Sequence, residues 1–187
     1  MKIIGFIYSG QNSKVESQKQ IEAVEMVLKG DSCLLTNRKP MFVPDWTKEL
    51  GVTPCIVLRV SRLGKGIAPK FAGRYYDAVA PGADFAALDL LREAQANGKP
   101  WTRAMDFDFS LAVGKWIDKE EKGAAELLNE EWVLTPEAAV AEASQVMTIR
   151  QGDLIYIQCP CAPRVVQKEE VIRVETNGEE TLYCKIK

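Results

Sequence analysis

The 187-residue chain contains no histidine. The usual neutral-pH general base, the Ser-His and Cys-His nucleophile pairs and His-ligated zinc are therefore closed to it. Chemistry must come from carboxylates, lysines, cysteines or a bound ion. The stretch "GADFAALDLLREAQANGKPWTRAMDFDFSLAVGKWI" (Gly82 to Ile117) gathers acids and aromatics in an enzyme-like spacing. In a strand through "DFDF", Asp106 and Asp108 point to one face and, near Asp84, would form a site for a hard cation. The alternative is that Asp108 caps a turn and Asp106 is solvated.

Five cysteines, Cys33, Cys55, Cys159, Cys161 and Cys184, form an odd and scattered set that suits reduced thiols in a cytoplasm. Cys159 and Cys161 in "QCPCAP" lack the two-residue spacer of the redox motif, and no second pair or histidine completes a zinc site. They are expected to be small buried packing residues. Cys55 lies in an apolar strand that would raise its pKa.

One basic run, Arg59, Arg62, Lys65, Lys70 and Arg74, has no intervening acid. It reads as a solvated strand end and helix face, with a phosphate or RNA patch as the alternative. "GKGIAPK" lacks the spacing of a phosphate loop. The net charge of -2 argues against a general nucleic-acid binder. No stretch approaches the roughly 18 apolar residues of a membrane span. "MKIIGFIYSG" is followed by a charged, Gln-rich segment where a signal peptide needs a small-residue cleavage site. A soluble cytoplasmic protein with a single domain over residues 1–187 is expected.

The elements that must position these residues are strands with a few helices between them. "KIIGFIY" reads as a strand, residues 16–22 as a helical turn, and "AVEMVLKGDSCLL" fits either strand or helix. "CIVLRVSRL" is an interior strand. "APKFAGRYYDAVA" reads as a short helix with Pro69 in its first turn. Asp84 is expected to cap a longer helix with Phe85, Leu88, Leu91 and Gln95 on one face, stopped by "NGKP". "FDFSLAVGKWI" alternates as a strand, and Asp118 to Glu131 reads as an exposed loop or surface helix. Thr135 and Pro136 open the last helix. "GDLIYIQ" and the Asn-Gly hairpin in "VIRVETNGEETLYCKIK" follow. The sum is an α+β fold, a β-rich mixed single domain.

The order of "LKGDSCLL", "FVPDW", "RVSRLGKGIAPKFAGRYYD", "GADFAALD", "GKPW", Phe107-Asp108, "GKWI" and "QGDLIY" resembles the fumarylacetoacetate hydrolase family in its short bacterial form. The resemblance implies a β-roll like that family's C-terminal domain and a homodimer. It further implies Mg²⁺ or Mn²⁺ held by a Glu-x-Glu pair and an Asp, where the ion chelates a 1,3-diketo or oxalate-like substrate and polarises its carbonyl. A His-Glu pair, a lysine and a Thr-Gly-Thr-Pro loop complete the family's site.

Carried over residue by residue, the metal pair falls on Thr53 and Cys55, neither a carboxylate, and only Asp84 remains as a ligand. Glu16 replaces the histidine and Lys19 its partner. Met105 takes the lysine position, Leu88 that of an arginine, and Cys159 that of a threonine in the C-terminal loop. Lys29, Asp31 and Ser32 match a stretch that faces substrate, which implies a pocket for a small oxo-acid or other anion; a plain turn is the alternative.

Two functions follow. The first is a catalytically degenerate homologue, a pseudoenzyme with its metal site lost and no cofactor, that keeps the fold. The second is an active metal-dependent hydrolase, decarboxylase or isomerase of a 2-oxo acid or acylpyruvate, similar to 2-hydroxyhepta-2,4-diene-1,7-dioate isomerase, with a rebuilt centre using Asp84, Glu16, Asp106 and Asp108.

Overall fold

Alternation of apolar residues on both faces of long strands organises the chain. The computed structural model describes residues 1–9 and 24–187. Its strands are β1 Ile3–Tyr8, β2 Val24–Lys29, β3 Leu34–Thr36, β4 Leu50–Val60, β5 Tyr76–Ala87, β6 Leu111–Val113, β7 Ile117–Asp118, β8 Leu154–Gln158, β9 Arg164–Val165, β10 Val171–Thr176 and β11 Glu179–Lys185. The helices are α1 Pro69–Ala72, α2 Leu88–Ala96, α3 Thr102–Met105, α4 Lys122–Leu128 and α5 Pro136–Val146. The fold is α+β and dominated by its sheets, as expected. The expected helical turn at residues 16–22 lies outside the described residues.

The main sheet runs β2-β1-β8-β4-β5-β6-β3, with β7 against β5 and β9 against β4; β10 and β11 form a separate hairpin. Only β1–β8 and β3–β6 pair parallel in it. One face packs Ile4, Phe6, Ile56, Leu58, Ile155 and Ile157 against Val140 and Ala143 of α5. The other face carries Ile3, Cys55, Val57 and Tyr156, covered by Leu88 and Met105. The period of two puts every second side chain on each side, so both faces of the central strands are buried.

Local signals held where they had a backbone cause. Thr135 Oγ accepts a hydrogen bond from the Ala138 N–H at 3.2 Å, and Pro136 opens α5. Asn177 and Gly178 take φ of 52° and 78° in the β10–β11 turn, the left-handed pair that a tight hairpin requires.

Two expectations are corrected. Asp84 caps no helix: it sits inside β5, and α2 begins at Leu88. Phe85 likewise belongs to β5. The Ala- and Gly-rich run pairs with β4 from Leu50↔Ala87 to Val60↔Tyr76, and burial against that interior strand overrides the helical spacing. The alternation in "FDFSLAVGKWI" also misled. α3 ends at Met105, Asp106 follows it, Asp108 lies in a turn, Phe109 has a φ of 65°, and only Leu111–Val113 and Ile117–Asp118 are strands.

The Tyr156 ring of β8 lies directly over Gly5 of β1. Gly5 lies in register with Tyr156, and a Cβ at Gly5 would stand 2.1 Å from the Tyr156 ring. Gly5→Ala is expected to lower stability by about 1–3 kcal/mol, as overpacked cores do. Urea unfolding would measure it, and an unchanged midpoint would mean that the ring moves aside freely.

Candidate functional site

Antiparallel pairing places residues directly opposite each other on one face. Thr53 on β4 stands opposite Asp84 on β5, and Cys55, two residues on, stands opposite Gly82. Cys55 is also in register with Gln158 of β8, with Tyr156 two residues before it. Thr53, Cys55, Asp84, Gln158 and Tyr156 therefore share one side of the sheet, and all are buried. The three positions where the resemblance places metal ligands share this face, with Asp84 brought from β5 to the neighbouring Thr53 and Cys55 of β4.

Lys29 ends β2 and its ammonium reaches this face. Nζ lies 2.8 Å from Asp84 Oδ1, with the two side chains 0% and 1% exposed. It also donates to the Met105 carbonyl oxygen and to Ser110 Oγ, the latter at 2.9 Å. Ser110 Oγ in turn donates to the Met105 carbonyl oxygen at 3.0 Å. Gln158 Nε2 donates to Asp84 Oδ2 at 2.7 Å, and Gln158 Oε1 accepts from the Tyr8 N–H at 3.0 Å. Both carboxylate oxygens are thus engaged by the chain itself.

The neighbouring acids are weak ones. Burial, with the Asp84 charge second, pushes both the Cys55 thiol and the Tyr156 phenol well up. The Tyr156 hydroxyl has no hydrogen-bond partner among the described residues. Both groups stay protonated at neutral pH. Cys33 sits beside the cluster, its thiol 2.8 Å from Asp106 Oδ1. Burial, and then that hydrogen bond, push its pKa up to about 11.

The other predicted residues are dispersed. Asp106 accepts from the Gly30 N–H at 2.9 Å and from Cys33, so it ties the turn after β2 to the end of α3. Asp108 is exposed in its turn, which corrects the shared strand face expected of the two. Asp31 and Ser32 are exposed in a 3-10 turn while Lys29 is buried, so the three do not converge on one pocket. Met105 is buried and lends its carbonyl rather than its thioether; Leu88 fills the space above Gly51, where a Cβ would stand 2.5 Å from it. Glu16 and Lys19 lie outside the described residues.

Cys159 is half-buried and Cys161 exposed, with their sulfurs in contact. Their exposure corrects the expectation of buried packing residues: β8 ends at Gln158, so the C-x-C segment belongs to a loop and not to the core. Cys33, Cys55 and Cys184 are free and buried. Sequence reasoning missed Gln158, Tyr156 and Ser110. The one signal available was a glutamine closing an otherwise apolar interior strand.

The family model described as fumarylacetoacetate (FAA) hydrolase C-terminal matches residues 4–187. The chain belongs to the fumarylacetoacetate hydrolase family. Among curated relatives, the mitochondrial oxaloacetate tautomerase FAHD1 of Bos taurus is 22% identical over 198 residues, 98% of this chain and 89% of the relative. Among solved structures, the fumarylpyruvate hydrolase of Pseudomonas aeruginosa in complex with Mn²⁺ and pyruvate superposes with a TM-score of 0.81 at 16% identity, covering 99% of this chain and 88% of that one. The 5-carboxymethyl-2-hydroxymuconate delta-isomerase of Mycobacterium smegmatis gives 0.79 at 18% identity over 99% and 78%. At these identities the superpositions establish the shared fold.

A hard divalent ion of the kind named in the Pseudomonas complex does not fit the residues on this face. Mg²⁺ and Mn²⁺ favour several anionic or carbonyl oxygens in a near-octahedral set. Among the described residues this face offers one carboxylate, its oxygens taken by Lys29 and Gln158, and the other ligand positions hold a threonine hydroxyl and a protonated thiol. Among the described residues, no group of three or more Cys, Asp or Glu converges elsewhere.

Two measurements test this arrangement. Lys29→Met should cost about 3–5 kcal/mol, because it leaves Asp84 buried without its cation, and adding Asp84→Asn should recover most of that loss. Equal stability of the single and double variants in urea would show that the pair is not coupled. Cys33, Cys55 and Cys184 of the native protein should react with iodoacetamide at pH 8 at least roughly a hundredfold slower than a free thiol, because only the thiolate attacks. Rapid labelling of any of the three by mass spectrometry would contradict their burial.

Proposed function

We propose that this protein is a catalytically degenerate member of its family, one that keeps the fold and has exchanged the metal centre for an ion pair. The observation that carries the reading is the Lys29 ammonium 2.8 Å from Asp84 Oδ1, fully buried. A monovalent cation built into the chain neutralises the one carboxylate left at the ligand positions. It cannot accept a substrate's oxygens as a Lewis acid does, because its protons are already committed to Met105, Ser110 and Asp84. Among the described residues beside it, neither Cys55 nor Tyr156 serves as a general base, because both hold their protons at neutral pH.

The ligand class proposed for what remains of the cleft is a small oxo-acid or other anion, supported by the pyruvate named in the Pseudomonas complex. Lys29 offers such a ligand no free charge, since Asp84 neutralises it. The homodimer implied by the resemblance is part of the same proposal.

The test is turnover of oxaloacetate and acylpyruvates by purified protein, with and without Mg²⁺ or Mn²⁺, beside Mn²⁺ binding read by electron paramagnetic resonance. The expected result is enolisation and cleavage at the buffer rate and no saturable Mn²⁺ signal at millimolar metal. Saturable metal binding together with metal-dependent turnover would overturn the proposal in favour of an active oxo-acid enzyme with a rebuilt centre.

A further inference from the structure

We infer that the groove between the end of β4 and α1 is a binding site for a small phosphate-bearing anion, separate from the Lys29–Asp84 face. The basic run of the sequence divides here. Arg59 turns to Asp77, its Nε 2.7 Å from Oδ1, and to Asp118 at 3.8 Å, so that cation is spent on the sheet edge. Arg62, Lys65 and Arg74 instead line one groove of about 460 Å³ with Gly66, Phe71 and Tyr75. Its walls include no carboxylate. Among the described residues, neither Arg62 nor Arg74 has an acidic partner within 4 Å. The adjoining groove shares both arginines and holds Asp77, Asp118 and Glu120, but the first two face Arg59.

Three cations without acids are unusual in a chain whose net charge is -2, so the positive field is local rather than general. The cations are also held in place. Lys65 donates to the Gln145 carbonyl oxygen at 2.8 Å. The Phe71 ring has Lys70 Nζ 4.9 Å and the Arg74 guanidinium 5.3 Å from its centroid. With cations already on that ring, it serves to orient Arg74 and not to stack a base. Two guanidinium forks and an ammonium around a volume suited to a small molecule fit a phosphate group, which takes paired N–H donors from each arginine.

The probe is inorganic pyrophosphate, titrated calorimetrically into the full chain in a phosphate-free buffer of low ionic strength. One saturable site is expected, weakening as salt is added. Arg62→Gln combined with Arg74→Gln should weaken it at least about tenfold, while the charge-matched pair Lys39→Gln and Lys168→Gln, both outside the groove, leaves it unchanged. Phe71→Ala removes no charge and should still weaken binding a few-fold, roughly the loss expected when Arg74 is no longer held. Circular dichroism of each variant establishes that it is folded. No saturation below about 10 mM pyrophosphate, equal affinity of the Arg62/Arg74 variant and the unmodified protein, or binding of a single-stranded oligonucleotide without binding of pyrophosphate would each overturn the inference.

Discussion

A lysine and an aspartate buried against each other set the terms for the rest of this protein. Taking both charges out of water costs several kcal/mol per ion, and their attraction offsets that only with good geometry and with the remaining donors and acceptors filled. The chain supplies those partners from four separate places: Ser110 and the Met105 carbonyl for Lys29, and Gln158 for Asp84, itself bound to the Tyr8 N–H. The pair also fixes register. Lys29 stands opposite Ile3, and a slip of one residue between β1 and β2 would turn its side chain to the opposite face and leave Asp84 alone.

That interaction occupies the face on which the resemblance places a divalent ion. Thr53, Cys55 and Asp84 meet there across β4 and β5. The positive charge is tethered to β2 and shielded from solvent. Lys29, Asp84, Ser110 and Gln158 form a connected polar network, and such networks favour one rigid arrangement over many. A separate cluster of positive charge, around Arg62 and Arg74, lines a groove whose walls hold no carboxylate.

The elements with local causes were legible in the residues alone. β1, the interior β4, α5 with its Thr135 cap and the Asn177-Gly178 hairpin followed from pattern, capping and turn chemistry, whereas residues 118–131 were open between loop and surface helix. The family was legible from the order of short motifs. β5 was not, because a run made mostly of small and apolar residues satisfies a helical period as well as a strand's, and only the partner β4 decides between them. The α3 turn failed for the same reason: the alternation through Phe107 and Phe109 mimics a strand where no neighbour exists to pair with it.

What the sequence by itself determined is which donor types are absent: there is no histidine anywhere, Thr53 and Cys55 are not carboxylates, and Met105 is not a lysine. Composition fixes that regardless of shape. Only the tertiary structure decided where the remaining charges go. Lys29 and Asp84 are 55 positions apart, and their meeting depends on the strand order that carries β2 and β5 to a common face. Ion pairing is a matter of ångströms in space, and the strand pairings that set those distances are made far from either residue along the chain.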